Sequence, residues 1–133
     1  MKKVAFIFFA VIIISCGGNK DENKIESIFE KARKELNAES STMLERDENV
    51  KGQGFRRVVH IDFIDCKNID LMDRSLKGVT KAFTMELKNN LPGSERIDIY
   101  RIKLLKDPND NTPSKSGFNI REKGFTYNRE NLN

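Results

Sequence analysis

The sequence predicts a small α+β domain in which a mixed sheet of three to five strands carries two helices on one face. Two segments, residues 21–37 and 70–91, repeat apolar residues at helical spacing, and two others, 55–66 and 96–106, alternate with a period of two. A chain of 133 residues is long enough for one domain with a modest core.

The first 18 residues have the layout of an export signal. Lys2 and Lys3 precede an apolar run over residues 4–14, and Ser15-Cys16-Gly17 follows that run. A membrane-spanning helix needs about 20 apolar residues, roughly twice the length of this run. The chain also turns polar directly after Gly18. A cleaved signal is therefore favoured over an uncleaved anchor.

The end of this signal, Ile13-Ile14-Ser15-Cys16, resembles the lipobox of bacterial lipoproteins. The resemblance implies that the Cys16 thiol receives a diacylglyceryl group and that cleavage falls before Cys16. It also implies that the new N-terminus is acylated, with a fatty acid such as palmitate, and that the lipid anchors the chain to the cell envelope. Gly17 stands where an aspartate would mark inner-membrane retention, which favours the outer membrane, on its periplasmic or surface side.

The resemblance divides the chain into a signal peptide (residues 1–15), a lipidated flexible tether (16–23) and a single α+β domain (24–133). The whole chain carries a net charge of +4, and removal of Lys2 and Lys3 lowers it to +2. Such a small excess does not favour a nucleic-acid partner.

The first helix is predicted from Ile25, Ile28, Phe29, Ala32 and Leu36, which form one apolar stripe. A short edge strand is expected over residues 42–46, and Asp47-Glu48-Asn49 has the composition of a turn.

Residues 55–66 form the clearest strand pattern of the chain. Phe55, Val59, Ile61 and Phe63 share one face and are predicted to lie in the core, whereas the other face, which includes His60 and Asp62, is mixed. Cys66 is expected to be a small buried residue at the end of this strand.

A second helix is predicted over residues 70–91, capped by Asp70 and ended by Pro92-Gly93. Its apolar stripe contains Met72, Leu76, Val79, Phe83 and Leu87. The next strand, over residues 96–106, would complete a right-handed strand–helix–strand unit with two parallel strands.

The C-terminal part is predicted to form a loop and then a short hairpin or bulged strand over residues 117–128, with a turn at Glu122-Lys123-Gly124. The start of the loop, at Asp107, resembles an EF-hand calcium loop. It departs at Thr112 and Phe118, where that motif has glycine and glutamate, so calcium is not favoured.

No motif of catalysis, metal binding or cofactor binding emerges from the sequence, and no such site is predicted. His60 is the single histidine, and lipidation of Cys16 would leave Cys66 without a partner. The sequence favours a non-enzymatic envelope lipoprotein that binds or assists another envelope protein. The alternative is a small hydrolase that uses carboxylates such as Asp62 and Asp98.

Overall fold

A computed structural model describes residues 19–111 and 120–132, with side chains from residue 23 onward. Within these residues the chain forms two helices and a four-stranded mixed sheet, as the sequence predicts. The elements in chain order are α1 (Asn19–Leu36), β1 (Ser40–Val50), β2 (Gly54–Cys66), α2 (Ser75–Asn90), β3 (Ile99–Lys106) and β4 (Glu122–Asn128). Two short 3₁₀ turns, Ser94–Arg96 and Arg129–Asn131, precede β3 and follow β4.

The strands lie in the order β1-β2-β3-β4, which is also their order in the chain. The pairs β1–β2 and β3–β4 are antiparallel, and β2–β3 is parallel. Helix α2 makes the crossover between the two parallel strands, so the predicted strand–helix–strand unit is confirmed.

Both helices pack on the same face of the sheet and form the core with it. The ring of Phe83 from α2 lies 5.2 Å from the ring of Phe29 in α1 and 5.2 Å from that of Phe63 in β2, edge to face in both cases. The other fully or nearly fully buried core side chains include Ile25, Ile28, Ala32, Leu36, Val59, Ile61, Leu76, Leu87, Tyr100, Ile102 and Leu104. The period of two in β2 therefore identifies the covered face correctly from Val59 to Phe63. The basic residues on both faces of residues 96–106 favoured a strand near an edge, and this is wrong, because β3 lies between β2 and β4.

The predicted turn at Asp47-Glu48-Asn49 is wrong, because β1 continues through these residues to Val50. They pair with Arg57, Arg56 and Phe55 of β2, so basic side chains lie opposite two of the three polar residues. The hairpin turns instead at residues 51–53, where Gly52 and then Gly54 adopt φ angles of +82° and +78°.

The placement of Phe55 in the core is also wrong. Its side chain is 74% exposed, because it pairs with Asn49 near the tip of the hairpin, beyond the buried positions that begin at Val58. Met72, expected in the helical stripe, is 38% exposed in the segment before α2.

Helix α2 begins at Ser75 and not at Asp70. Asp70 and Asp73 use carboxylate oxygens to accept the N–H groups of Met72 and Ser75, at 3.0 and 2.9 Å, and so form local turns ahead of the helix. Helix α1 begins at Asn19, inside the segment 16–23 that composition assigns to a tether. Propagation of an existing helix into polar residues costs little.

The predicted turn at Glu122-Lys123-Gly124 is wrong as well. These residues belong to β4 and pair with Leu105, Leu104 and Lys103 of β3, which supplies the missing partner strand. Residues 112–119, which contain the first half of the predicted hairpin and the positions Thr112 and Phe118 of the calcium-like loop, lie outside the described residues.

Candidate functional site

The sheet has a second face that neither helix covers, which we call the open face. It consists of the strand residues that alternate with the core positions. Among them are Leu44, Arg46, Glu48, Arg56, Val58, His60, Asp62, Ile99, Arg101, Lys103 and Thr126. Most of these side chains are polar, as expected for a face that meets water.

A cluster of ionic contacts around Glu48 joins three strands across the open face. The Glu48 carboxylate accepts hydrogen bonds from Arg46 Nε at 2.8 Å and from Arg101 Nη1 at 2.9 Å, and it contacts His60 Nε2. The bond from Arg46, then the contact with His60, together with the positive charge of Arg101, lower the pKa of Glu48 to about 2. Glu48 is therefore ionised at any pH of physiological interest.

The negative charge of this cluster lies inside and the positive charges lie outside. The side chain of Glu48 is 18% exposed, against 57% for Arg46 and 38% for Arg101. Lys103, two residues further along β3, is exposed, and Leu44 beside His60 is 54% exposed. A molecule that approaches the open face therefore meets basic groups around one exposed leucine.

Val58 and Ile99 lie on the open face and are nevertheless buried, at 0% and 2% exposure. They pair with each other across β2 and β3. Neither α1 nor α2 covers this pair, and long side chains such as Arg46, Arg56 and Arg101 lie around it on the same face. The charged side chains of the open face therefore surround a buried apolar pair, Val58 and Ile99.

A cavity of about 570 Å³ opens at the end of the open face where β2 and β3 begin. Its lining combines three basic, two acidic and three uncharged side chains: Arg56, Lys88, Arg129, Asp98, Glu130, Gln53, Ile99 and Asn128. Asp98 accepts the backbone N–H of Arg57 at 2.9 Å, and the N–H of Arg129 bonds to the Asp98 carbonyl at 2.9 Å. The first bond joins β2 to the residue before β3, and the second joins the C-terminal segment to that same residue.

The structure separates the carboxylates considered for a hydrolase. The N–H of Asp98 bonds to the carbonyl of Arg57, which lies five residues before Asp62 on β2. Five strand residues span about 17 Å. Paired carboxylates that act on one glycosidic bond lie roughly 5–9.5 Å apart. Asp62 and Asp98 are too far apart to act together in this way.

His60 does not form a cluster with Asp62 or Asp65, although all three lie on the same strand. Its partner is Glu48, from the segment predicted to be a turn. Asp65 lies at the other end of β2 with a φ of +58°, and burial together with the charges of Asp107 and Glu39 raises its pKa. The carboxylate that defines the site was therefore missed. The alternation Leu44, Arg46, Glu48, Val50 is the sequence signal that could have revealed it.

Of the two cysteines, Cys66 lies within the described residues and Cys16 does not. Cys16 lies outside the described residues, so its lipidation stays a prediction. Cys66 is fully buried, as expected, and burial raises the pKa of its thiol to about 12. A thiol with such a pKa is a poor nucleophile.

Within residues 19–111 and 120–132, no group of three or more His, Cys, Asp or Glu side chains is arranged to hold a metal ion. Two carboxylates of the calcium-like loop bond to backbone instead. Asp107 accepts the N–H of Asn109 at 3.0 Å, and Asp110 accepts the N–H of Asn68 at 2.7 Å.

No family model, curated protein or solved structure matches this chain. In the part of the chain that the structure describes, neither helix is long and apolar enough to cross a membrane.

Proposed function

We propose that this chain is a lipid-anchored, non-enzymatic protein of the bacterial envelope that binds an acidic segment of another envelope protein on its open face. The Ile13-Ile14-Ser15-Cys16 motif supports the anchor, and Gly17 supports the outer membrane as its location. Three acyl chains would hold the protein firmly, since one chain alone gives only marginal membrane binding.

The observation that carries the binding role is the arrangement of charge around Glu48. The half-buried carboxylate holds Arg46 and Arg101 in place at 2.8 and 2.9 Å, so both guanidinium groups are oriented before any partner arrives. Less side-chain entropy is lost on binding when such groups are already ordered. Exposed Leu44 adds an apolar contact within this basic surface.

The open face also has the chemistry of protein recognition. Guanidinium groups bind carboxylates through paired hydrogen bonds, and arginine is enriched at interfaces. An acidic segment with one apolar side chain would match both the basic rim and Leu44.

One purification with two measurements tests this proposal. A photo-crosslinking residue replaces Thr126 on the open face, cells are irradiated, and the protein is purified from detergent-solubilised envelopes. Mass spectrometry of the N-terminal peptide is expected to show a chain that begins at Cys16 with added acyl mass. Crosslinked peptides are expected to come from one envelope protein and to carry more Asp and Glu than Lys and Arg.

A matched pair of variants gives the control. The double variant Leu44→Asp, Lys103→Glu changes two exposed open-face residues outside the Glu48 cluster, and it should abolish the crosslink. The double variant Phe55→Asp, Lys34→Glu also replaces one apolar residue by aspartate and one lysine by glutamate, but at exposed positions away from the open face. This variant should retain the crosslink. An N-terminal peptide that retains Met1 would show that the proposed anchor is wrong. A crosslink that survives in Leu44→Asp, Lys103→Glu would show that the proposed binding face is wrong.

A further inference from the structure

One flank of α2 carries basic side chains in a row. At 100° per residue, Arg74, just before the helix, and Lys77, Lys81 and Lys88 within it fall in an arc of about 60°. The first three side chains are exposed and the fourth is half-buried. We call these four residues the basic flank.

Within α2 itself the basic flank has no matching acidic group, although the carboxylates of Asp70 and Asp73 lie in the turns just before Arg74. Glu86 is the single carboxylate of α2, and it lies on the opposite side, where its Oε1 is 3.8 Å from Lys31 Nζ of α1. Among the described residues, no ion pair is made by Arg74, Lys77 or Lys81.

The outer surface of α1 is different, because its charges are balanced in number and several of them are paired. Arg33 contacts Glu26 at 2.8 Å, and Lys34 contacts Glu30 at 3.9 Å. The excess positive charge of the helical layer therefore lies on α2, which carries three lysines and one glutamate.

Contacts with the C-terminal part of the chain locate the basic flank. The Tyr127 hydroxyl of β4 donates to the Lys77 carbonyl at 3.1 Å, and Lys88 Nζ donates to the Leu132 carbonyl at 3.3 Å. The flank therefore lies on the β4 side of the helical layer. That layer is on the opposite side of the sheet from the open face.

We propose that the basic flank lies against the anionic lipid headgroups of the membrane that holds the chain. This inference rests on the lipid anchor proposed above. Cys16 and the first residue of α1, Asn19, are three residues apart and hence separated by at most about 11 Å. The N-terminal end of α1 is thus held near a charged bilayer surface, whose potential extends roughly one Debye length, about 8 Å. Each basic residue near an anionic membrane surface strengthens binding to the membrane about fivefold.

An orientation with the basic flank on the membrane leaves the protein-binding surface accessible. With the helical layer on the membrane, the open face points away from it, toward other envelope proteins. The membrane and the acidic protein segment then bind to opposite sides of one domain.

The test measures how fast an amine-reactive reagent modifies each lysine of the purified protein inserted in vesicles. One set of vesicles is phosphatidylcholine and the other also contains phosphatidylglycerol. Lys77 and Lys81 should react several-fold more slowly in the anionic vesicles, and high salt should abolish the difference. Lys103, which is exposed on the open face at the opposite side of the sheet, is the internal reference and should react equally in both sets. Equal rates for Lys77 and Lys81 would overturn the proposal.

Two variants that remove the same charge sharpen the measurement. Arg74→Gln should weaken the protection of Lys77 and Lys81, whereas Lys34→Gln, on the paired surface of α1, should leave it intact. Protection found in native envelopes but in neither vesicle type would indicate a protein in place of lipid and would also overturn the proposal.

The mass of the same sample separates this proposal from the anchor. A lipidated protein without protection contradicts the basic flank alone. If the protein carries no acyl chain, it is added to preformed vesicles and its binding to anionic vesicles is measured. A decrease of about fivefold in that binding with Arg74→Gln still supports membrane contact by the basic flank. Absence of binding then overturns it.

Discussion

At the scale of single residues, two neighbouring tyrosines show that burial alone does not determine what a hydroxyl contributes. Tyr100 and Tyr127 pair across β3 and β4 on the covered face of the sheet. The Tyr127 hydroxyl bonds to Thr80 Oγ1 at 2.7 Å and to the Lys77 carbonyl. The Tyr100 hydroxyl is fully buried and has no hydrogen-bond partner among the described residues. Burial raises the pKa of Tyr100 to about 12, so the group stays neutral.

The two tyrosines should therefore respond in opposite directions to loss of the hydroxyl. Tyr100→Phe removes an unsatisfied polar group and is expected to raise the free energy of unfolding by about 1 kcal/mol. Tyr127→Phe removes the hydrogen bonds to Thr80 and to the Lys77 carbonyl, and it is expected to lower that free energy by about 1 kcal/mol. Urea unfolding of the purified variants measures both. A loss of stability in Tyr100→Phe would mean that its hydroxyl has a partner in the folded protein.

At the scale of elements, the apolar period predicted those parts of the fold that the chain determines locally. The stripe through Ile25 and Phe29 gave α1, and the alternation of Val59, Ile61 and Phe63 gave β2 together with its covered face. The spacing of apolar residues predicts which side of an element is buried. A strand–helix–strand unit, which joins two parallel strands, then predicts that β2 and β3 are parallel.

The parts that failed depend on partners far away in the chain. Asp47-Glu48-Asn49 has turn composition, but pairing with Arg56 and Arg57 makes it a strand. Glu122-Lys123-Gly124 fails in the same way, because β3 supplies its partner. The candidate site was missed for the same reason, since Glu48 becomes important only when the hairpin brings it to His60 and Arg101.

The three elements that meet at Phe83 give a prediction at this scale. Phe83 of α2 contacts the rings of Phe29 and Phe63, so it joins both helices to the sheet, and it is 4% exposed. Phe83→Ala should lower the free energy of unfolding by about 3–5 kcal/mol, because the apolar contacts are lost and a cavity remains. Thermal or urea unfolding measures the change.

Phe55 provides the control for this substitution, because the sequence pattern places it in the core and the structure exposes 74% of its side chain. Phe55→Ala should change the free energy of unfolding by at most about 0.5 kcal/mol. Equal losses in the two variants would show that the hairpin tip is covered and that the core assignment from the alternation was right.

At the scale of the whole molecule, the two faces of the sheet are stabilised by different forces. The covered face is held by apolar burial under α1 and α2. Neither α1 nor α2 covers the open face, and there the Glu48 cluster ties β1, β2 and β3 together through charged hydrogen bonds. Apolar burial does not depend on pH, whereas the cluster requires an ionised carboxylate. Acid should therefore weaken the open face selectively.

The direction of this pH dependence follows from the pKa of Glu48, which falls from 4.5 to about 2 on folding. A lowered pKa in the folded state gives stability that is present above pH 4.5 and is lost as the pH falls toward about 2. Glu48→Gln lacks this contribution and leaves Arg46 and Arg101 without their carboxylate. The wild-type protein should be the more stable at neutral pH, and the difference should shrink through that window.

Urea unfolding of both proteins at several pH values measures this difference. Groups that titrate in both proteins, such as Asp65 with its raised pKa, cancel from it. Glu30→Gln makes the same chemical change in the exposed pair with Lys34 and should show a much smaller pH-dependent difference. A constant difference between wild type and Glu48→Gln down to about pH 2 would mean that the carboxylate is not held by Arg46 and His60. The basic groups of the open face would then not be fixed in advance for a partner.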